Sequence, residues 1–169
     1  NSIAWTHRMQ LNETEAKTDS DTCFNDTAPT SSVFTIGTDN KINTNDENMI
    51  AYVWAPIQGY SKFGGYTGNG LANGPFIYTG FKPAWVMFKR TDSTNDWLVF
   101  DHKRDTYNLT GNVIYANEAG AEQADAAHSG SLDLLSNGFK MRETGQSGNG
   151  GGSTYVYMAF AEQPFVTSG

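Results

Sequence analysis

Apolar residues along the chain fall into short alternating blocks bounded by polar turn formers. Almost nowhere do they follow the 3.6-residue period of an amphipathic helix. The pattern predicts strands at Ser32–Ile36 (SVFTI), Met49–Ala55 (MIAYVWA), Phe76–Thr79, Ala84–Arg90 (AWVMFKR), Trp97–Asp101 (WLVFD), Asn112–Ala116 (NVIYA), Phe139–Arg142 and Thr154–Ala161 (TYVYMAFA), each bounded by Gly, Asn, Asp or Ser. In AWVMFKR both alternating sets are apolar, which implies a central strand covered on both faces. Thr91–Asp96 (TDSTND) has the length and polarity of a hairpin loop between AWVMFKR and WLVFD. The one helical candidate, Glu118–Ala127, contains Gly120 and lacks an apolar stripe. The expectation is an all-β chain, an antiparallel β-sandwich of jelly-roll or lectin-like type.

The blocks also echo one another. LNETEA (Leu11–Ala16) resembles ANEAGA (Ala116–Ala121), and Phe34 aligns with Phe139 at the same offset. One residue of shift then lays Asn48–Ala55 over Thr154–Ala161, so that Ile50, Tyr52 and Trp54 match Val156, Met158 and Phe160. Residues 1–55 therefore read as the second half of a β repeat and residues 56–169 as a complete one. A half-repeat cannot cover its own apolar face, so something else must pack against it.

Composition fits this reading. The 169 residues include four Trp, eight Tyr and ten Phe, with 18 Gly and only 17% charged residues. Aromatics suit pleated surfaces and Gly suits turns. A chain of this length can bury roughly 70% of its unfolded surface without metal or disulfide staples. A net charge of −7 argues against nucleic acid, whose phosphates require a basic face. No run approaches the ~18 apolar residues of a membrane span. The start at Asn1 rather than Met suggests a processed chain or one cut from something larger. The lone Cys23 reads as a small packing residue.

Candidate chemistry is sparse. The glycines of YSKFGGYTGNG (Tyr60–Gly70) are interleaved with aromatics, with no following helix and no Gly-Lys-Ser/Thr ending, so they read as a turn and not as a phosphate cradle. His7, His102 and His128 lack zinc-binding spacing, and DHKRD (Asp101–Asp105) reads as a solvated turn. Calcium takes six to eight oxygens, and the TDSTND loop offers Asp92, Asn95 and Asp96 as a weak candidate site without matching a known loop spacing. No other cofactor is expected. Trp5, Tyr66, Trp97 and Tyr107 are the candidate contacts for a glycan or a partner, because flat rings beside polar groups suit sugars; core packing explains the same letters. Sequons stand at Asn12, Asn25 and Asn108.

Several long phrases carry a family likeness: NDTAPTSSVFTIGT, MIAYVWAPIQGYSKFGGYTGNG, GPFIYTGFKPAWVMFKRTDSTNDWLVFD and TYVYMAFAEQPF. Together they resemble a repeat domain of uncharacterised function found in virion proteins of tailed, mostly marine, bacteriophages, often beside concanavalin A-like lectin modules. The resemblance implies a structural or adhesive module of a tail or head fibre, at the virion surface and without catalysis. It also implies partnership with copies of itself, as a trimer or fibre, and contact with a host surface glycan. A carbohydrate-binding, lectin-like domain is the alternative. A depolymerase would need two carboxylates ~5–9.5 Å apart in a groove, and only Asp101 with Asp105 or Asp92 with Asp96 offer themselves.

Overall fold

The computed structural model describes residues 4–124 and 131–164. Its strands are β1 (His7–Arg8), β2 (Thr18–Asp19), β3 (Ser61–Thr67), β4 (Phe76–Tyr78), β5 (Trp85–Arg90), β6 (Leu98–Asp101), β7 (Asn112–Tyr115), β8 (Gln123–Ala124), β9 (Leu132–Leu135), β10 (Gly138–Met141) and β11 (Thr154–Phe160). One helical turn, α1 (Asp21–Phe24), lies near the start. Six strands form the large sheet in the order β3-β11-β5-β6-β7-β8, three form a small sheet in the order β4-β10-β9, and β1 pairs with β2. Every pairing is antiparallel. The fold is an all-β sandwich.

Alternation along the strands decides what lies between the sheets. Tyr155, Tyr157 and Ala159 of β11 face inward with Val86 and Phe88 of β5, Leu98 and Phe100 of β6 and Val113 of β7. Ile77, Leu132, Leu134, Phe139 and Met141 answer them from the small sheet. The Phe139 ring lies T-shaped to Tyr66 and Tyr157, at 6.2 and 5.3 Å between centroids, while Tyr66 stacks on Tyr155 at 4.8 Å. Such offset and edge-on pairs add to the area that aromatics bury.

Buried phenols need partners, and here they fasten a loop. The Tyr66 hydroxyl donates to the Gly148 carbonyl at 2.9 Å; that of Tyr155 donates to the Gln146 carbonyl and accepts from the Gly150 amide. Asn149, fully buried, takes the Asn69 amide on its Oδ1 and donates through Nδ2 to the Leu71 and Glu143 carbonyls. The glycine-rich stretch is thereby explained, and in part corrected. Gly64 and Gly65 lie inside β3, and a Cβ on Gly64 would come within 3.0 Å of the Tyr157 ring. Gly68 approaches the Gly150 carbonyl so closely that a Cβ would stand 2.3 Å from it. Within the stretch, Tyr60 ends one turn and the segment after Thr67 makes another, while Gly64 makes room in a strand between them.

The predicted strands from Phe76 onward hold, within a residue or two at their ends, whereas Ser32–Ile36 and Met49–Ala55 are not strands. Residues 118–122 are not helical, and the rest of that helical candidate enters β8 or lies outside the described residues. Phe139 is fully buried in β10, but Phe34 is exposed with no strand around it, so the internal repeat does not emerge in the fold. Residues 4–25 and 37–44 instead make a small unit. There the Gly37 amide donates to the Cys23 carbonyl, and Asp39 accepts hydrogen bonds from Arg8 and Cys23. This unit docks on the loop after β5 through Lys17 N to Thr91 O (3.0 Å) and Asn95 N to Thr14 O (2.8 Å).

Truncation should separate the two phenylalanines. Phe139→Ala is expected to cost about 3–5 kcal/mol in urea unfolding of the dilute chain, and Phe34→Ala less than about 0.5 kcal/mol. Equal costs would mean that Phe34 has a core of its own.

Candidate assembly surface

Beyond Thr44 the chain leaves the small unit, turns at Asn45–Asp46 and runs as an arm without regular secondary structure to Pro56. Ile50, Tyr52, Val53 and Trp54 expose 81%, 75%, 73% and 56% of their surface. Among the described residues, nothing hydrogen-bonds to Asn48–Trp54; the contact there is internal, Tyr52 stacked on Trp54 at 6.2 Å. Unpaired backbone and exposed β-branched and aromatic side chains are what an unassembled strand presents. The base of the arm is firm. Ser61 Oγ accepts from the Ile57 amide at 2.9 Å and donates to the Ala55 carbonyl at 3.0 Å, beside the backbone bridge between Ile57 and Ser61.

That base lies at the start of β3, the edge strand of the large sheet. β3 pairs with β11 on one side, and among the described residues no strand takes its other edge. β3 has no proline, and Lys62 is its one charged residue, so little blocks further pairing. On the outer face of the sheet a row of apolar side chains runs in register across five strands: Phe63, Met158, Met87, Val99 and Ile114. Phe160 continues it beside Phe63 and Trp85, with ring centroids 5.7 and 5.6 Å away.

The four rings singled out in the sequence do not gather into one surface. Tyr66 is buried between the sheets. Trp97 is half-buried beneath the N-terminal segment, its Nε1 donating to the Gln10 carbonyl at 2.9 Å. Trp5 is exposed on the small unit, edge-on to Phe24 at 6.3 Å, and Tyr107, 85% exposed, stands in the loop between β6 and β7. Asn108 beside it exchanges two hydrogen bonds with the backbone of Leu134, which engages the amide of that sequon.

The TDSTND loop encloses a cation of the chain's own. Lys89, fully buried on the outer face of β5, donates through Nζ to the Thr14 carbonyl at 2.8 Å and to the Asn95 carbonyl, and lies 5.9 Å from the centre of the Trp97 ring. Asp96 accepts from Asn117 Nδ2 at 2.8 Å, and Asp92 pairs with Arg90 at 2.7 Å. The Asn95 side chain spans Gln146 O and the Asp96 amide. Oxygen atoms proposed for calcium are thus engaged by an ammonium, a guanidinium and amides. Among the described residues no group of three or more His, Cys, Asp or Glu side chains is placed to hold a metal ion. Asp101 accepts from the amides of Lys103 and Arg104 and pairs with the Arg104 side chain, while Asp105 accepts from the Gly111 and Asn112 amides. His102 Nε2 sits 3.3 Å from Glu162. The DHKRD stretch makes a turn fastened by its own carboxylates.

One family matches nearly the whole of this chain: its description is Domain of unknown function (DUF7483), over residues 1–164. The chain belongs to that family. No curated protein and no solved structure matches it.

In this DUF7483 chain the buried Lys89 has a titration of its own. Burial pushes its ammonium down to about 8, the Asp96 charge opposing the shift. Burial moves the Tyr66, Tyr155 and Tyr157 phenols the other way, above their ordinary range. Between pH of about 8 and the ordinary lysine value, the unfolded chain keeps a proton that the folded chain has released. Raising pH in that window therefore favours the folded state, by at most ~1.4 kcal/mol per pH unit. Lys89→Met should remove this rise. Urea unfolding of both proteins from pH 8 to 9.5 reads the difference in slope, to which the other groups contribute equally. Parallel slopes would show that Lys89 is not desolvated as its position implies.

Proposed function

We propose that this chain is a structural and adhesive module of an extracellular appendage, a tail or head fibre subunit of a tailed bacteriophage, that assembles with copies of itself through apolar β surfaces. The observation that carries this reading is the arm Asn48–Trp54, an apolar segment left exposed and unpaired shortly before an unpaired sheet edge in the sequence. Chains that work alone rarely expose contiguous apolar surface of this kind. The phrases resembling virion repeats support the setting, and the acidic balance supports a surface facing solvent and not nucleic acid. Carboxylates engaged in their own turns support a role without catalysis.

Tyr107 favours a second reading, in which the module binds host glycans, since its ring stands clear of the sandwich on a loop. A glycan array separates the two: binding lost in Tyr107→Ala would establish the lectin role, and binding at background would remove it.

The appendage role is tested on particles. Antibodies raised against the purified chain should decorate the tail or head fibres of the intact phage that encodes it in immunogold electron microscopy. Particles without label, from a stock whose infected cells contain the protein, would overturn the assignment.

A further inference from the structure

Two unfinished elements of the fold lie next to each other in sequence: an arm without a sheet and a sheet edge without a strand. Paired as a strand, the arm would carry Ile50, Tyr52 and Trp54 on one side, and Met49 with the smaller Ala51, Val53 and Ala55 on the other. The large set matches Val156, Met158 and Phe160, which β11 places on the outer face of the large sheet. A strand with β11's pattern, added alongside β3, would put Ile50, Tyr52 and Trp54 beside Phe63 and lengthen the apolar row by one strand. Its other side, Met49, Ala51, Val53 and Ala55, would then face the inner side of the sheet, beside Gly64, which has no side chain, and the stem of Lys62.

The arm does not take the edge of its own β3. The Ser61 hydroxyl holds the Ala55 carbonyl and Ile57 amide in a tight turn, and from there the arm departs into solvent with its own edge still open. Its reach suits a neighbour: eight extended residues span ~26 Å. The area suits one as well. Each large aromatic buries ~150–250 Å², so Tyr52 and Trp54 with Met49, Ile50, Val53 and Ile57 would bury several hundred Å² per arm. Two arms exchanged reciprocally would reach the ~1,200–2,000 Å² of a stable interface.

We propose that the arm Asn48–Ala55 of one copy adds as an edge strand to β3 of a second copy, and that the exchange is reciprocal. This rests on the self-assembly part of the proposed function and names its interface. Main-chain pairing to β3 supplies affinity, and the Ile50, Tyr52 and Trp54 side chains against the Phe63 end of the row supply register. A two-fold exchange closes and leaves neither arm nor edge unpaired.

The test uses the whole chain in sedimentation velocity and hydrogen–deuterium exchange across a range of concentrations. The wild type should self-associate, with the amides of Ala51–Trp54 and the outward amides of β3 gaining protection together as it does. The double variant Tyr52→Pro/Val53→Pro removes one amide from the middle of the ladder whichever alternate set faces β3. It should weaken association at least 10-fold while its circular dichroism stays native, because the arm lies outside the core. Association that survives the double variant, or an oligomer whose arm exchanges freely, would overturn the strand exchange while leaving the fibre assignment to its own test on particles. Protection of the arm in a monomeric sample would mean that it folds back on its own edge, and a chain that stays monomeric with a free arm would refute the interface outright.

Discussion

The ring of Phe139 fills the space between the two sheets, edged by Tyr66 and Tyr157, and the rest of the molecule is arranged around that filled space. Tyr66 and Tyr155 stack beside it, and their hydroxyls reach the backbone of the loop that follows β10. Interiors pack at crystal-like density, so a core closed in this way has no vacancy for further aromatic side chains. Tyr52, Trp54 and Phe34 lie outside it, exposed on segments that no strand of the sandwich pairs with.

Where both alternating sets of a block are apolar, the fold was readable from the letters. Val86 and Phe88 turn inward from β5 while Met87 and Lys89 are buried on the other side, as AWVMFKR requires of a central strand. β3 was hidden because Gly64 and Gly65 give no apolar signal; Gly64 leaves space for Tyr157, which only the paired strand reveals. β9 was missed although Leu132 and Leu134 alternate, because LDLL holds no β-branched or aromatic residue and has an aspartate inside it. The arm shows the opposite failure. MIAYVWA has the pattern of β11, but a local pattern cannot say whether neighbouring strands are present. The same limit governs the candidate contacts. Nothing local to Tyr66 or Trp97 distinguishes a ring in the core, or under a docked segment, from the exposed ring of Tyr107.

The outer face of the large sheet shows how the chain covers apolar surface with what it has. At one end the N-terminal segment lies over Lys89 and Trp97, held by carbonyls that a buried ammonium needs in any case. The acidic-looking TDSTND loop thereby also covers an internal cation. The covering stops short of the other end, where Phe63, Phe160 and Trp85 cluster near the open edge.

That uneven covering also bears on solubility. A net charge of −7 spread over a small chain makes copies repel one another at distances up to the ~8 Å screening length. Apolar contact alone, made anywhere on the surface, must overcome this repulsion without directional hydrogen bonds. Backbone pairing along a seven-residue edge supplies those bonds at one place only, and the edge tolerates a register that keeps large side chains on one face. An acidic surface around an open strand edge therefore discourages indiscriminate aggregation and still permits a specific ladder. The chain's low content of charged residues on β3 and the arm, set against its acidic loops elsewhere, places that permission where the unpaired backbone lies.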